Sequence, residues 1–194
     1  MKIKYINGFK IRNTIDPDFG VIGSSKFFNY IPKNEIWFDK RYKKEEKHFL
    51  KIHLCEIKLA KKSPYEKARK IIQKRFMQKT KDKKIPNFRV KKSKYNGYTI
   101  SYVDGKIIRK YVDPKFILGM HCFVKRNYEK LFFKNEIWID ILQDKREYKF
   151  TLIHEYNEAE LMKKGMNYND AHDFSLAIEK IARRKDGCGK YSRD

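Results

Sequence analysis

The chain has 194 residues, a formal net charge of +23, 41% hydrophobic and 15% aromatic residues. This composition supports a folded core and excludes a disordered chain, and no apolar run approaches the ~20 residues that a membrane-spanning helix needs. The first ten residues lack the apolar segment of a signal peptide, and three scattered cysteines without a CxxC pair are typical of a reducing compartment. We therefore expect an intracellular, cytoplasmic protein without a membrane partner.

The positive charge permits two interpretations. It would attract polyanions through counterion release, which predicts nucleic acid as a partner. A bias towards AT-rich codons would also produce many lysines, and arginine, the better residue for bidentate phosphate and guanine contacts, is not enriched. Composition alone leaves both interpretations open.

One heptapeptide occurs twice. KNEIWFD at residues 33–39 returns as KNEIWID at residues 134–140, and the similarity continues on both sides. Such a repeat indicates an internal duplication. We expect an α+β fold of two tandem repeats, each with short antiparallel strands followed by two helices. The predicted segments are repeat one, a basic connector, repeat two and a tail, at residues 1–77, 78–97, 98–185 and 186–194.

The first predicted element of each repeat is a short strand with a turn, at residues 11–19 and 107–116. A hairpin-like region follows and ends in the strand that carries Trp37 or Trp138, in which side chains alternate between two faces. In repeat one the second helix opens with Ser63-Pro64-Tyr65-Glu66, which places a cap before a proline at the first helical position.

Residues 74–94, which overlap the connector, hold ten basic residues and one acidic residue. It is a solvated spacer in one interpretation and an arm that contacts phosphates in the other. The candidate residues for nucleic-acid binding are Lys79, Lys81, Lys83, Lys84, Arg89, Lys91, Lys92 and Lys94.

Two helices are predicted in repeat two. Asp144 and Glu147 have the spacing of a capping box at the start of the first helix. This helix should stop at Gly165, because glycine readily adopts the left-handed conformation that ends helices. The second helix should begin at one of the two asparagines that flank Tyr168 and end near Arg184.

These helices carry a possible metal-binding set. His154 and Glu158 lie four residues apart and so share one helical face. The turn at Gly165 would fold the second helix back and bring His172 to them. Two imidazoles and a carboxylate are ligands that zinc accepts. Glu155 would then lie beside the metal site, where it could act as a general base.

Tyr168 and Glu179 are the candidates for outer contacts that orient these ligands. Repeat one lacks the set, although it keeps His53 at the position of His154. The positions of Glu155, Glu158, His172 and Glu179 are taken there by Leu54, Ile57, Arg69 and Phe76. A structural alternative stays open, in which the histidines pack or cap and the glutamates are solvated. His121 and Cys122 could also bind metal, but repeat one shows no match to this pair.

The run Phe150-Thr-Leu-Ile-His-Glu, with a further ligand on a second helix, resembles the zincin-like metallopeptidases, closest to their minimal cytosolic forms. The resemblance covers about residues 135–184. It implies zinc as cofactor and a peptide or protein as substrate. It also implies an edge strand beside the active-site helix, which would be the Trp138 strand, able to hold an extended peptide.

Carried over from that family, His154 is the first zinc ligand, Glu155 the base, Glu158 the second ligand and His172 the third. The family pattern is His-Glu-x-x-His, so the carboxylate of Glu158 is a departure that would weaken the metal as a Lewis acid. We therefore expect a zinc-dependent hydrolase, most simply a peptidase. The alternative is a non-enzymatic basic protein that binds nucleic acid or another protein on a degenerate zincin-like scaffold.

Overall fold

A computed structural model describes residues 1–60, 65–76, 85–124 and 129–191. The predicted α+β class is confirmed, with six α-helices and two small sheets in this part of the chain. None of the helices in these ranges has the length and apolar character required to cross a membrane. The predicted helix opening at Ser63 and Pro64 and the candidates Lys79, Lys81, Lys83 and Lys84 lie outside the described residues.

The elements of the N-terminal half come in the order strand, helix, two strands, two helices. They are β1 (Lys2–Ile6), α1 (Gly8–Thr14), β2 (Ile22–Ser24), β3 (Glu35–Asp39), α2 (Glu46–Leu59) and α3 (Tyr65–Phe76).

The C-terminal half adds one strand and then follows the same order. Its elements are β4 (Arg89–Tyr95), β5 (Tyr98–Val103), α4 (Gly105–Tyr111), β6 (Gly119–His121), β7 (Glu136–Asp140), α5 (Tyr148–Lys163) and α6 (Tyr168–Lys185). Short 3-10 turns precede α2 and α5.

The sheets have the orders β1-β3-β2 and β4-β5-β7-β6. β1 runs parallel to β3 and β5 runs parallel to β7, so the prediction of purely antiparallel strands is wrong for these pairs. The strand predicted within residues 11–19 and within 107–116 is also wrong, because α1 and α4 occupy the first part of each segment; the predicted turns follow these helices. Short apolar runs do not distinguish a strand from a helix. A helix and not a tight turn follows β1 and β5, so β2 does not pair with β1 and β6 does not pair with β5. Instead, β3 lies between β1 and β2, and β7 lies between β5 and β6.

The prediction that the Trp138 strand is an edge strand is wrong. β7 lies between β5 and β6, and all five of its residues are buried. The Trp138 ring stacks on Phe132 at 3.8 Å and meets Phe88 edge-on at 4.9 Å. A strand covered on both faces belongs in the middle of its sheet. The edges of this sheet are β4 and β6.

Two compact units make up the chain. The first comprises Met1–Gly8, Phe19–Asn87 and Gly105–Phe116, and the second comprises Phe9–Asp18, Phe88–Asp104 and Ile117–Asp194. The units therefore interleave along the sequence. Helix α4 belongs to the first unit, and α1 after Gly8 belongs to the second.

Two arginines at equivalent repeat positions fasten these short helices. In the first unit, Arg109 donates to both carboxylate oxygens of Glu45 at 2.9 and 2.6 Å. In the second unit, Nε of Arg12 donates to Oε1 of Glu147 at 2.8 Å. Each arginine is 1% exposed. A guanidinium buried this deeply requires a paired carboxylate, so each pair ties its helix to the rest of its unit.

Candidate metal centre

Helices α5 and α6 form the predicted helical pair of repeat two. Asp144 caps the turn before α5, since its side chain accepts a hydrogen bond from the backbone N–H of Arg146. α5 ends before Gly165, which has φ of +96°, and the side chain of Asn167 caps α6. The predicted boundaries are confirmed to within one or two residues at the ends of α6 and at the end of α5. The two helices then pack against each other.

Glu147, the second residue of the predicted capping box, pairs with two arginines. Its carboxylate accepts hydrogen bonds from Arg12 at 2.8 Å and from Arg183 at 2.5 Å. Arg183 is 1% exposed and lies on α6. The pairing stabilises two buried guanidinium groups, because an unpaired buried charge is costly.

The predicted ligands His154, Glu158 and His172 lie together. Oε2 of Glu158 is 2.9 Å from Nδ1 of His172 and 3.2 Å from Nε2 of His154, and the two ring nitrogens are 3.1 Å apart. All three ligand atoms fall within 4.8 Å of one another, so these residues could hold a metal ion. The i, i+4 spacing sets two of these positions, and the turn at Gly165 sets the third.

Glu179 supports this set from behind. Its Oε2 lies 2.9 Å from Nδ1 of His154, and its Oε1 accepts hydrogen bonds from Arg183 at 2.8 and 2.6 Å. A carboxylate paired with arginine can only accept, so Nδ1 of His154 is the donor. The proton at Nδ1 leaves Nε2 as the nitrogen that faces Glu158 and a possible metal, as in many carboxylate–histidine–metal arrangements.

His121 is the residue that the sequence prediction missed. It is fully buried on β6, and its Nε2 lies 2.8 Å from Oε1 of Glu158. The backbone N–H of Phe123 donates to Nδ1 of His121, which places the proton of a neutral ring on Nε2. His121 therefore donates to Oε1 of Glu158 and leaves Oε2 directed towards His154 and His172.

A second group of possible ligands comprises His121, Glu155 and Glu158, also within 4.8 Å of one another. A metal on Nε2 of His121 would require a lone pair there, while Nδ1 already accepts the hydrogen bond from Phe123. A neutral ring cannot supply both lone pairs. This group fits a metal less well than the first, and His121 fits the role of holding Glu158 in orientation.

Glu155 and Tyr168 complete the surroundings. The half-buried side chain of Glu155 lies over Gly119 of β6, where an added Cβ would meet its Cγ and Oε1 at 2.9 Å. The Tyr168 ring stacks on His172 at 5.7 Å. The side chain of His172 is 27% exposed, and its Nε2 faces Asp18 at 3.5 Å. The cluster is thus buried on the side of His154 and accessible to solvent on the side of His172.

Pairing within the cluster shifts its pKa values. Burial opposes ionisation of Glu158, but hydrogen bonds from three histidines outweigh it and hold the pKa of this carboxyl well below its ordinary value. Burial also disfavours charge on the imidazoles, yet hydrogen bonds to Glu158 and Glu179 raise the pKa of His154 to about 10. Bonds to Asp18 and Glu158 likewise raise the pKa of His172 to about 9. The two protonated imidazoles thus compensate the charge of Glu158, and a divalent cation that displaced their protons from the facing nitrogens would supply the same compensation.

Repeat one has no such cluster among its described residues. Strand register aligns Ser24 of β2 with His121 of β6, because they pair with Ile36 and Ile137 in the two copies of the heptapeptide. There, Nε2 of His53 lies 3.0 Å from Oγ of Ser24. The sequence held a signal for His121, because the offset that aligns Arg12 with Arg109 also aligns Ser24 with His121.

The nucleic-acid-binding candidates of the connector that the structure describes make contacts within the chain. Residues 89–95 form strand β4, so this part of the predicted spacer belongs to a sheet. Arg89 forms a bidentate pair with the carboxylate of Glu136 at 2.7 Å. Nζ of Lys94 donates to Thr99, and Lys91 and Lys92 lie over the rings of Tyr102 and Phe133.

Comparisons with known proteins find no relative: no family model, no curated protein and no solved structure matches this chain.

Proposed function

We propose that this protein is a zinc-dependent hydrolase, most simply a peptidase, with its site in repeat two. The observation that carries the proposal is the convergence of His154, Glu158 and His172 on one point, with Glu179 behind His154. These residues fit zinc, since two imidazole nitrogens and a carboxylate oxygen leave a fourth tetrahedral position for water or substrate. A bound zinc ion would polarise a substrate carbonyl and lower the pKa of water.

The chain itself supplies the remaining groups. Glu155 follows the first ligand directly and is half-buried, so in this proposal its carboxylate takes the proton of the attacking water. His121 and Glu179 hold the ligands in orientation. The ligand Glu158 carries a negative charge where zincins have histidine, so we expect weaker polarisation and slower turnover than a His-Glu-x-x-His site gives.

For the substrate we propose an extended peptide that pairs with β6. This replaces the Trp138 strand, which is central in its sheet. β6 is an edge strand, and Gly119 on it lies against the side chain of Glu155. A peptide added at this edge would run close to the base, and main-chain hydrogen bonds would hold it in register.

The test combines metal analysis with turnover. Elemental analysis and titration calorimetry of the purified full chain should show one zinc per chain, and His172→Ala should lose it. A library of fluorogenic peptides should be cleaved by the wild type. Glu155→Gln should keep zinc and lose cleavage by about 100-fold or more, the usual contribution of a general base.

A matched control is Asp173→Asn, which changes an exposed carboxylate on α6 in the same way and should retain both properties. Zinc affinity that is equal in the wild type and in His172→Ala would contradict the metal site. Normal cleavage by Glu155→Gln would contradict the mechanism and leave the metal site standing.

A further inference from the structure

We propose that the first unit carries a binding site for a ligand with two or more adjacent phosphate groups, independent of the metal centre. The site is a cleft of about 640 Å³ at the start of α2 and along α4. Volumes of this size are typical of small-ligand pockets. Residues 43–48 line it together with Phe76, Lys106, Arg109 and Lys110.

Charge decides the class of ligand. The lining holds five lysines and one arginine against two carboxylates. Both carboxylates already have donors of their own. Glu45 accepts two hydrogen bonds from Arg109, and Glu46 accepts one from the hydroxyl of Tyr5 at 2.5 Å. The lysines at positions 43, 44, 47, 106 and 110 are exposed at the cleft and give it a strong positive potential.

The second unit shows the same place in the fold with other residues at three of these positions. By the repeat alignment, Lys106 and Lys110 correspond to Phe9 and Asn13, and Phe76 corresponds to Glu179. There, a cation of the chain itself is bound. Arg183 donates to Asn13 at 2.9 Å, to Glu147 at 2.5 Å and to Glu179 at 2.6 Å.

The replacements therefore change the charge at this place in the fold. In the second unit, the carboxylates of Glu147 and Glu179 bind the guanidinium of Arg183. In the first unit, lysines replace a phenylalanine and an asparagine, and a phenylalanine replaces one of the carboxylates. A uniform codon bias would add lysines to exposed positions in both units alike. The start of α5 also carries exposed basic residues, Lys145, Arg146 and Lys149, so the difference between the units lies in Lys106, Lys110 and Phe76 and in the internal ion pair of Arg183.

The five lysines suit a phosphate ligand. Ammonium groups contact phosphate oxygens as point charges, whereas arginine makes planar bidentate contacts with carboxylates and phosphates alike. The half-buried Phe76 adds an aromatic surface at the cleft, on which a nucleobase can stack. A nucleoside polyphosphate, or the terminal nucleotides of a single strand, has this combination of phosphates and a flat ring.

The test compares two double variants that remove the same charge. The cleft variant combines Lys47→Gln with Lys110→Gln, both in the lining of the cleft. The control variant combines Lys33→Gln with Lys40→Gln, at exposed positions outside that lining. Binding of a nucleoside triphosphate and of a fluorescent single-stranded oligonucleotide is measured at about 0.15 M salt, where long-range attraction between exposed charges is largely screened.

We expect the cleft variant to lose about tenfold or more in affinity, as two charge-assisted contacts would imply, and the control variant to lose less than about twofold. Binding of the triphosphate, with or without the oligonucleotide, identifies a nucleotide site, and binding of the oligonucleotide alone identifies a strand end. Equal losses in the two variants, or binding of neither ligand, would overturn the proposal. Zinc titration and thermal unfolding of both variants should match the wild type, which separates this result from the metal centre and from misfolding.

Discussion

Nδ1 of His154 donates a hydrogen bond over 2.9 Å to Oε2 of Glu179, a residue 25 positions further along the chain. The other oxygen of Glu179 is held by the buried guanidinium of Arg183. One chain of contacts thus runs from a buried arginine through a carboxylate to the imidazole that faces Glu158. A histidine held in this way presents one defined nitrogen to its surroundings.

Replacing Glu179 with glutamine should weaken zinc binding without removing a ligand. The amide cannot pair with Arg183 as the carboxylate does, and it holds the ring of His154 less firmly. Loss of such an outer partner typically lowers metal affinity by about 10–100-fold. Titration calorimetry measures this change, with Asp173→Asn on the same helix as the control. An unchanged affinity would show that Glu179 serves only the packing of Arg183.

The role of His121 can be tested with the residue that repeat one has in its place. His121→Ser introduces the equivalent of Ser24 and removes the hydrogen bond to Oε1 of Glu158. We expect one zinc per chain in both proteins and an affinity about tenfold lower in the variant. Two zinc ions in the wild type and one in the variant would instead make His121 a ligand of a second metal.

Removing Arg183 should destabilise the second unit strongly. Arg183→Met keeps much of the side-chain volume but leaves Glu147 and Glu179 without this guanidinium in the interior. Breaking a buried ion pair on one side costs about 3–5 kcal/mol, and urea unfolding followed by circular dichroism measures it. Arg184→Met, at the neighbouring exposed position, should change the free energy of unfolding by no more than about 0.5 kcal/mol. Similar effects of the two substitutions would contradict the buried network.

Stability at low pH should depend on Glu136. Burial raises the pKa of this carboxyl, but the hydrogen bonds from Arg89 and Ser101 outweigh burial and lower it below the ordinary value of 4.5. A lowered pKa in the folded state stabilises the fold above the ordinary pKa, and this stabilisation is lost as the pH falls through the folded value.

Glu136→Gln should therefore be less stable than the wild type at neutral pH, by about 2–3 kcal/mol for the lost charged hydrogen bonds. The difference between the two proteins should shrink as the pH falls below the ordinary pKa of 4.5, because the wild type loses its advantage on protonation. Urea unfolding across this pH range measures both effects. A difference that stays constant with pH would show that Glu136 does not titrate with folding.

The helical part of the candidate site was predictable because helix geometry is local. A residue spacing of four places His154 and Glu158 on one face in any helix, and the glycine at 165 and the asparagine at 167 mark where one helix ends and the next begins. The duplicated heptapeptide likewise marks the two Trp strands without any knowledge of their neighbours.

Tertiary structure decided the order of the strands and the burial of His121 against Glu158. It also decided that α4 belongs to the first unit and α1 after Gly8 to the second. The contacts that fix them join residues far apart in the chain, as Arg12 does with Glu147 and Arg109 with Glu45. Spacing along the sequence carries no information about such pairs. They form because burying a charge is costly unless the folded chain places an opposite charge beside it.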